Sequence, residues 1–229
     1  MIIDSDPQAS ITSAFGYNGD ELENTLPLLI EKHLNKEPIK LENFIIKTSE
    51  GVYLLPSDIR LTNIDRGLQN IISRELVYKK ALRELEELDL DFIMVDSPPY
   101  ASLIVSNILV FCDSLLIPVS PDFLTLKAFR VLAETIDIIK EDLNPSLKII
   151  GLLFNLVDIR TYHAKDVMQY TKKTIGDIYV FKNFIRTNTK IKEAQVRGQS
   201  ILTYDSQAIG SHDFIEVTKE FINVINSNT

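Results

Sequence analysis

The sequence has 229 residues, of which 45% are hydrophobic, and a formal net charge of −8 at pH 7. This apolar content is sufficient for a full hydrophobic core and excludes an intrinsically disordered chain. The negative charge argues against a protein that coats nucleic acid or anionic membrane over its whole surface, but it leaves room for a local basic patch.

The chain carries the signals of a cytoplasmic protein. Its single cysteine, Cys112, can form neither an internal disulfide nor a cysteine-based metal site. The N-terminal residues do not have the pattern of a secretory signal, and no uncharged apolar run reaches about 18 residues. With no repeat and no low-complexity linker, we expect one domain over residues 1–229.

Short β-rich apolar runs alternate with longer amphipathic stretches along the chain. This alternation predicts an α/β fold in which a mostly parallel sheet carries helices on both faces. The predicted strands are Met1–Ile3, Val52–Leu55, Phe92–Val95, Ser114–Val119, Ile149–Asn155 and Ile178–Phe181. The predicted helices are Leu22–Leu34, Arg66–Leu90, Phe123–Leu143, Ala164–Ile175 and Asp213–Ile225.

Two carboxylates and an amide follow the first predicted strand directly. They form the segment Asp4-x-Asp6-Pro7-Gln8. Ligands of open parallel sheets bind at the carboxyl ends of strands, where carboxylates can hold Mg²⁺ through water or orient an attacking water. The alternative is a turn that only ends the strand.

A second acidic motif closes the predicted strand Phe92–Val95. Asp96 follows this strand and precedes a Ser-Pro-Pro turn. This is the form of a Walker B element, in which the terminal Asp anchors Mg²⁺ beside phosphates. Apolar strands that end in Asp also occur without such a role, so the motif alone leaves both interpretations open.

The third candidate is a basic segment, residues 185–201. It carries four cations within twelve residues, Arg186, Lys190, Lys192 and Arg197. Such a cluster in an acidic protein can contact a phosphate backbone. The ordinary alternative is a solvated helix face.

Taken in order, these segments resemble the ParA family of plasmid and chromosome partition ATPases, within the class that includes MinD. Ile2–Ser10 resembles the family segment L-I-D-x-D-P-Q-G-N, and Tyr53–Ser57 resembles L-L-P-S/A. Phe92–Pro99 resembles the Walker B segment I-I-I-D-T/C-P-P. Leu116–Val119 is similar to a strand I-P-V/T, and Ile185–Ile201 to I-P-R-N-V-x-L-x-E-A-x-x-x-G-x-x-I. The resemblance spans nearly the whole chain and implies a P-loop NTPase-like fold of the deviant Walker A class.

The resemblance assigns roles to the acidic residues. Asp6 matches the family's Asp that orients the hydrolytic water, and Asp4 matches its partner near the metal and phosphates. Asp96 matches the Walker B Asp that holds Mg²⁺ through water. ATP and Mg²⁺ are therefore the cofactors expected for the intact family member.

The resemblance also places the segment Ile185–Asn188 at the loop that borders the adenine. Ile185, Arg186 and Asn188 are the matching residues. Arg186 stands where the family usually has Pro, so the shape of this wall differs from the family pattern.

Lys190, Lys192 and Arg197 match positions at which family members present basic side chains to nonspecific DNA. The resemblance further implies a homodimer, a ParB-like centromere-binding partner and a cytoplasmic, nucleoid-associated location. The C-terminal segment Glu216–Asn226 contains only one lysine. It therefore lacks the basic amphipathic face of a membrane-binding helix, and we expect no membrane contact.

One part of the family pattern has no counterpart in the 229 residues. The family places a strand, a phosphate loop K-G-G-x-G-K-T/S and a helix ahead of the D-x-D-P-Q segment. Without the cations of that loop, Asp6 and Asp96 would repel a nucleotide, so the chain as it stands is predicted to be inactive as an ATPase. Loss of the strand would also expose an edge beside the Asp96 strand. A fragment of a longer protein, and a degenerate paralogue that binds DNA or a partner without nucleotide, are both consistent with this pattern.

Overall fold

The computed structural model describes the backbone of residues 1–228 and the side chains of residues 1–122 and 132–227. It has the mixed α/β fold with a mostly parallel sheet that the sequence predicts. The chain divides into two compact units. The first comprises Met1–Phe111 with Arg197–Gln199, and the second Cys112–Val196 with Ser200–Thr229. The expectation of one domain stays a prediction.

A four-stranded sheet organises the first unit. Its central strand β1 runs parallel to β3 on one side and to β4 on the other, while β2 pairs antiparallel with β3. β4 is the edge strand on its side of this sheet, and the Met94 side chain on it is 57% exposed. The strands are β1 (Ile2–Asp4), β2 (Ile46–Lys47), β3 (Tyr53–Leu55) and β4 (Met94–Asp96).

Five helices accompany this sheet. Helix α2 packs against α3 and α4, and α5 packs against the same two helices. Ile3 of β1, Leu54 of β3 and Leu29 of α2 are fully buried. Each of these side chains contributes about 1.5–3 kcal/mol relative to an exposed position. The helices are α1 (Ser10–Ala14), α2 (Leu26–Leu34), α3 (Leu61–Leu68), α4 (Val77–Ala81) and α5 (Leu103–Phe111).

The predicted helix Arg66–Leu90 is wrong as a single element. The structure breaks it into the end of α3, a 3₁₀ turn at Arg74–Leu76, helix α4 and a second 3₁₀ turn at Arg83–Glu87. Ser73 has φ 55°, a left-handed conformation that a continuous right-handed helix does not tolerate. The apolar spacing misled the prediction because the short pieces still bury leucines on one side.

Smaller differences have local causes. Helix α2 begins at Leu26, four residues later than predicted, because Pro27 lies in its first turn, where a missing N–H costs nothing. Strand β2, helices α1 and α5, and a short helix at Ile201–Tyr204 were not predicted, since each is short or lacks a clear amphipathic period.

The second unit is built on a parallel pair, β5 and β6, with a register shift between Leu115 and Leu116. Its core is a cluster of Ile150, Leu153, Phe181, Ile185 and Val217. The elements are β5 (Ser114–Val119), α6 (Phe123–Asp142), β6 (Lys148–Phe154), α7 (Tyr162–Thr174), α8 (Thr189–Val196), α9 (Ile201–Tyr204) and α10 (Ile209–Asn228).

The predicted strand Ile178–Phe181 is reduced to a single bridge between Leu152 and Val180. Its pairing begins as a strand would, because the Phe181 N–H donates to the Leu152 carbonyl at 3.0 Å. The next two N–H groups, of Lys182 and Asn183, donate instead to the carboxylate of Glu220 on α10. The strand pairing therefore ends after Phe181, because the next two N–H groups bind the Glu220 carboxylate.

No helix among the described residues combines the length and the apolar character that crossing a bilayer requires.

Candidate functional site

Asp4 is the buried end of β1, and protein donors occupy both of its oxygens. Oδ2 accepts hydrogen bonds from the N–H and the hydroxyl of Thr12, each at 2.8 Å, and Oδ1 accepts from the Asp6 N–H at 3.2 Å. The Thr12 hydroxyl in turn accepts from the Ser57 N–H at 3.1 Å, directly after β3. Asp4 therefore ties the end of β1 to helix α1 and to the end of β3.

Asp6 lies two residues further on, in the turn that leads into α1. Its Oδ1 accepts from the Gln8 N–H at 2.8 Å, and its carbonyl accepts from the Ala9 N–H at 3.0 Å. Ala9 has φ 49°, so the turn takes a left-handed residue just before the helix begins. In the part of the chain that the structure describes, no donor contacts Oδ2 of Asp6, which leaves this oxygen available.

Asp96 closes β4 directly beside Asp4. The two residues are partners in the parallel register, and the Ser5 N–H donates to the Asp96 carbonyl at 3.1 Å. Burial, together with the charges of Asp4 and Asp6, raises the pKa of Asp96 from 3.8 to about 6. The structure thus brings Asp4, Asp6 and Asp96 together, as the order of strand ends predicts, and leaves their mutual repulsion only partly compensated.

These oxygens fit a hydrated divalent cation. Mg²⁺ usually keeps several waters and takes only one or two protein carboxylates, which matches Asp96 with the open oxygen of Asp6. Among the described residues, no three Asp, Glu, His or Cys side chains converge closely enough to hold a metal by themselves. The Ser57 hydroxyl nearby is buried without a protein partner, so a water or a ligand group has to satisfy it.

A nucleotide site also needs groups that bind the phosphates, and the sequence does not supply the usual ones. The 229 residues contain no G-x-x-x-x-G-K-[S/T] motif. The acidic residues therefore fit the metal, while the sequence holds no lysine-bearing glycine loop to fit the phosphates.

In the second unit, the segment Ile185–Asn188 is held by three separate contacts. Ile185 is buried in the core, and its carbonyl accepts from the Val157 N–H at 3.0 Å. The Asn188 side chain accepts from the Lys190 N–H at 2.9 Å and so caps the start of α8. The backbone of this segment is consequently fixed at both ends.

Arg186 makes the third contact, with Asp213 of α10. Its N–H donates to Asp213 Oδ2 at 3.0 Å, and its guanidinium forms three further bonds, from Nε at 2.9 Å to Oδ2 and 3.1 Å to Oδ1 and from the second terminal nitrogen at 2.5 Å to Oδ1. The Asp213 side chain is almost completely buried. The hydrogen bonds that Arg186 donates to Asp213, with burial opposing them, raise the pKa of Arg186 above its usual range.

The three predicted DNA-contacting residues differ in their surroundings. Lys190 is paired with Glu193 at 3.0 Å and lies 5.6 Å from the Tyr204 ring. Lys192 and Arg197 are exposed. Because Glu193 offsets the charge of Lys190, this residue is a weaker candidate for a phosphate contact than Lys192.

Three residues that organise these segments were missed from the sequence: Thr12, Asp213 and Glu220. Asp213 and Glu220 are seven residues apart on α10, on the same side as the core residue Val217. Acidic residues at positions of the apolar face were the available signal, since a buried carboxylate needs donors. Thr12 gave no such signal.

Comparison with known proteins decides the family. The family described as "AAA domain" matches residues 1–149. The sporulation initiation inhibitor protein Soj of Bacillus subtilis is 30% identical over 221 residues, which cover 96% of this chain and 85% of Soj. The chain belongs to the ParA/Soj-type ATPase family. The chromosome partitioning protein ParA of Myxococcus xanthus is similar as well, 31% identical over 97% of this chain and 76% of its own length.

Solved structures agree with the ParA/MinD-type fold. Apo McdA of Cyanothece superposes with a TM-score of 0.79 at 21% identity, covering 100% of this chain and 86% of McdA. The cobyrinic acid a,c-diamide synthase of Mycobacterium smegmatis, solved with an ATP analogue and magnesium, gives a TM-score of 0.74 at 26% identity. The match covers 86% of this chain and 77% of the synthase.

Proposed function

We propose that this ParA/Soj-type chain acts in the segregation of plasmid or chromosome DNA through a nucleotide-dependent cycle. The observation that carries the proposal is the grouping of Asp4, Asp6 and Asp96 at neighbouring strand ends. The names of its relatives, which include two chromosome partitioning proteins and a cell division protein, support a partition or positioning role.

In this proposal the three acidic residues have distinct tasks. Asp96 holds Mg²⁺ through water, and the free oxygen of Asp6 orients the water that attacks the phosphoryl group. Asp4 is a positioning residue, because all its hydrogen bonds go to the turn and to α1. Mg²⁺, when bound, supplies charge stabilisation for the phosphoryl transfer.

The remaining assignments rest on the family pattern. Ile185, Arg186 and Asn188 border the adenine, and Lys190, Lys192 and Arg197 contact nonspecific DNA. A ParB-like centromere-binding protein is the proposed partner and a homodimer the proposed assembly. The proposed location is the cytoplasm, on the nucleoid and away from the membrane.

Equilibrium binding of a fluorescent ATP analogue, with and without Mg²⁺, tests the proposal. In a version extended at its N-terminus by a strand and a K-G-G-x-G-K-T/S loop, we expect Mg²⁺-dependent binding that weakens about tenfold or more in Asp96→Asn, since the loss of one charge-assisted contact is worth at least that factor. The 229 residues alone should not bind the analogue, because they supply no cations for its phosphates. Asp89→Asn, at an exposed aspartate shortly before the same strand, is the matched control and should bind like the parent chain. Binding that both variants weaken equally, or that does not need Mg²⁺, contradicts the proposed site.

A second function is compatible with the charges at this site. The charges of Asp4 and Asp6 act on Asp96, and among the described residues no cation lies within salt-bridge distance of these carboxylates. A degenerate paralogue that binds DNA or a partner without nucleotide would keep such a site without using it. Its association with DNA would be the same with and without ATP, whereas the first function requires DNA affinity to change with nucleotide.

A further inference from the structure

The first unit carries a groove of ≈ 750 Å³ on the side of α4. One wall follows the broken helical run from the 3₁₀ turn before α4 to the 3₁₀ turn after it, and the other is the last turn of α2. We call it the basic groove. Its lining residues are His33, Leu76, Lys79, Lys80, Arg83 and Glu86.

The charge of the basic groove is opposite to that of the whole protein. Lys79, Lys80 and Arg83 are exposed, and no acidic group that the structure describes lies within ion-pair distance of them. Glu86 is the single acid among the lining residues. Three cations thus converge on one groove of a protein whose formal net charge is −8.

His33 adds no charge to this groove at neutral pH. Burial, and secondarily the neighbouring charge of Lys80, lower the pKa of His33 below its ordinary value of 6.5. The imidazole is therefore neutral at pH 7 and serves as a polar wall, which leaves Lys79, Lys80 and Arg83 to define the electrostatic preference.

The walls of the groove are mostly apolar despite these cations. Leu76 contributes directly, and the aliphatic stems of the long basic side chains cover the rest while their charged ends reach solvent. A bare phosphate backbone gains nothing from apolar walls, because its groups are strongly hydrated. A ligand that presents carboxylates beside an apolar side chain uses both features, as peptide-binding grooves do.

We propose that the basic groove docks a short acidic peptide segment of a partner protein, with one apolar side chain between its carboxylates. The run from Leu76 to Glu86 spans on the order of 15 Å, which accommodates about four or five residues of an extended peptide. This surface lies outside the acidic site of Asp4, Asp6 and Asp96, and its role does not depend on nucleotide.

Fluorescence anisotropy with the full chain tests the proposal. The probe is a short labelled peptide in which Asp and Glu flank a leucine, compared with a leucine-free version and a lysine-for-acid version. The groove variant is Lys79→Gln with Lys80→Gln. The matched control is Lys172→Gln with Lys173→Gln, which removes the same charge from another exposed lysine pair in the last turn of a helix, α7.

We expect the acidic leucine peptide to bind, and the groove variant to weaken it about tenfold, with the control pair changing it less than about twofold. Removing the leucine should weaken binding about fivefold or more, as expected for the loss of one buried apolar side chain. The lysine-containing peptide should not bind.

Three results would overturn the proposal. The first is equal weakening by both lysine pairs, which would indicate a general charge effect. The second is tighter binding of short duplex DNA than of the peptide, with dependence on Lys79 and Lys80, which would make the groove a nucleic-acid surface. The third is no peptide binding up to about 1 mM, the weak end of specific recognition.

Discussion

The charged form of Asp96 is destabilised by burial and by two neighbouring carboxylates. It is partly buried beside Asp4 in the parallel register, with Asp6 close by. No cation is close enough to form a salt bridge with any of the three carboxylates among the described residues. A carboxylate whose pKa is raised by burial and by neighbouring carboxylates is typical of functional sites, where a bound cation can compensate its charge.

The raised pKa of Asp96 predicts that the stability of the folded chain depends on pH. The pKa of Asp96 is about 6 in the folded chain against 3.8 in its ordinary state, so the folded state binds the proton more tightly. The carboxylate therefore opposes folding above pH 6, and this penalty is relieved as the pH falls toward 4. We expect Asp96→Asn to be more stable than the parent chain at pH 7 and nearly equal to it near pH 4.

Thermal unfolding of the two chains across this pH range measures the effect. Asp89→Asn removes an exposed carboxylate and should leave the pH profile unchanged. Addition of Mg²⁺ at pH 7 should stabilise the parent chain more than Asp96→Asn. A stability difference that stays constant with pH would show that the pKa of Asp96 is not raised in the folded chain.

At the scale of elements, α10 is more than a packing helix. Asp213 and Glu220, two turns apart, bind the backbone of two preceding segments. Glu220 also accepts from the Tyr179 hydroxyl at 2.6 Å, and this hydrogen bond, together with burial, raises the pKa of Tyr179 to about 12. Helix α10 thereby fixes the backbone from residue 179 to residue 186.

The contact between Arg186 and Asp213 predicts a compensating pair of substitutions. Asp213→Ala should destabilise the chain by about 1–2 kcal/mol, because it leaves the half-buried guanidinium and the N–H of Arg186 without an acceptor. Arg186→Pro removes the guanidinium and the N–H, which are the two donor groups to Asp213. The backbone bonds of Val157 with the Ile185 carbonyl and the Thr187 N–H do not use the Arg186 N–H and should persist. The double variant should therefore be more stable than Asp213→Ala alone.

Urea unfolding of the two single variants and the double variant gives the coupling energy. Glu216→Ala, on the same helix but in an exposed pair with Lys219, is the control and should change stability little. If the two single effects simply add, Arg186 and Asp213 are independent and the compensation is wrong.

The elements that could be predicted from sequence are those whose own residues determine them. The run Ser114–Val119 was predicted with its exact bounds, since a continuous apolar strand needs no outside partner to be recognised. The acids Asp4 and Asp96 were picked out because each ends a predicted strand, and their roles came from the resemblance to the family. The failures depended on distant contacts or on one backbone angle. Glu220 ends the pairing after Phe181 from 39 residues away in sequence, and Ser73 breaks a helix whose apolar period is intact.

At the scale of the whole molecule, the net negative charge and the local cations around α8 have opposite effects on DNA binding. A chain of net charge −8 repels DNA at long range, so nonspecific DNA binding would depend on a few exposed cations. Lys192 and Arg197 are exposed, while Lys190 is compensated by Glu193. The structure therefore ranks Lys190 below Lys192, which the sequence pattern treats as equal.

This ranking predicts the salt dependence of DNA binding. Each phosphate contact that is lost reduces the slope of log K against log salt by about 0.9, so Lys192→Ala with Arg197→Ala should reduce it by about 2. Lys190→Ala should change the slope by much less, because Lys190 is paired with Glu193 and is not expected to make a phosphate contact of its own. Lys172→Ala with Lys173→Ala, which removes two exposed charges from α7, controls for the global charge. Equal slopes for this control and for the Lys192 and Arg197 pair would mean that DNA responds to the net charge of the protein, and the segment around α8 would lose its assignment as the DNA contact.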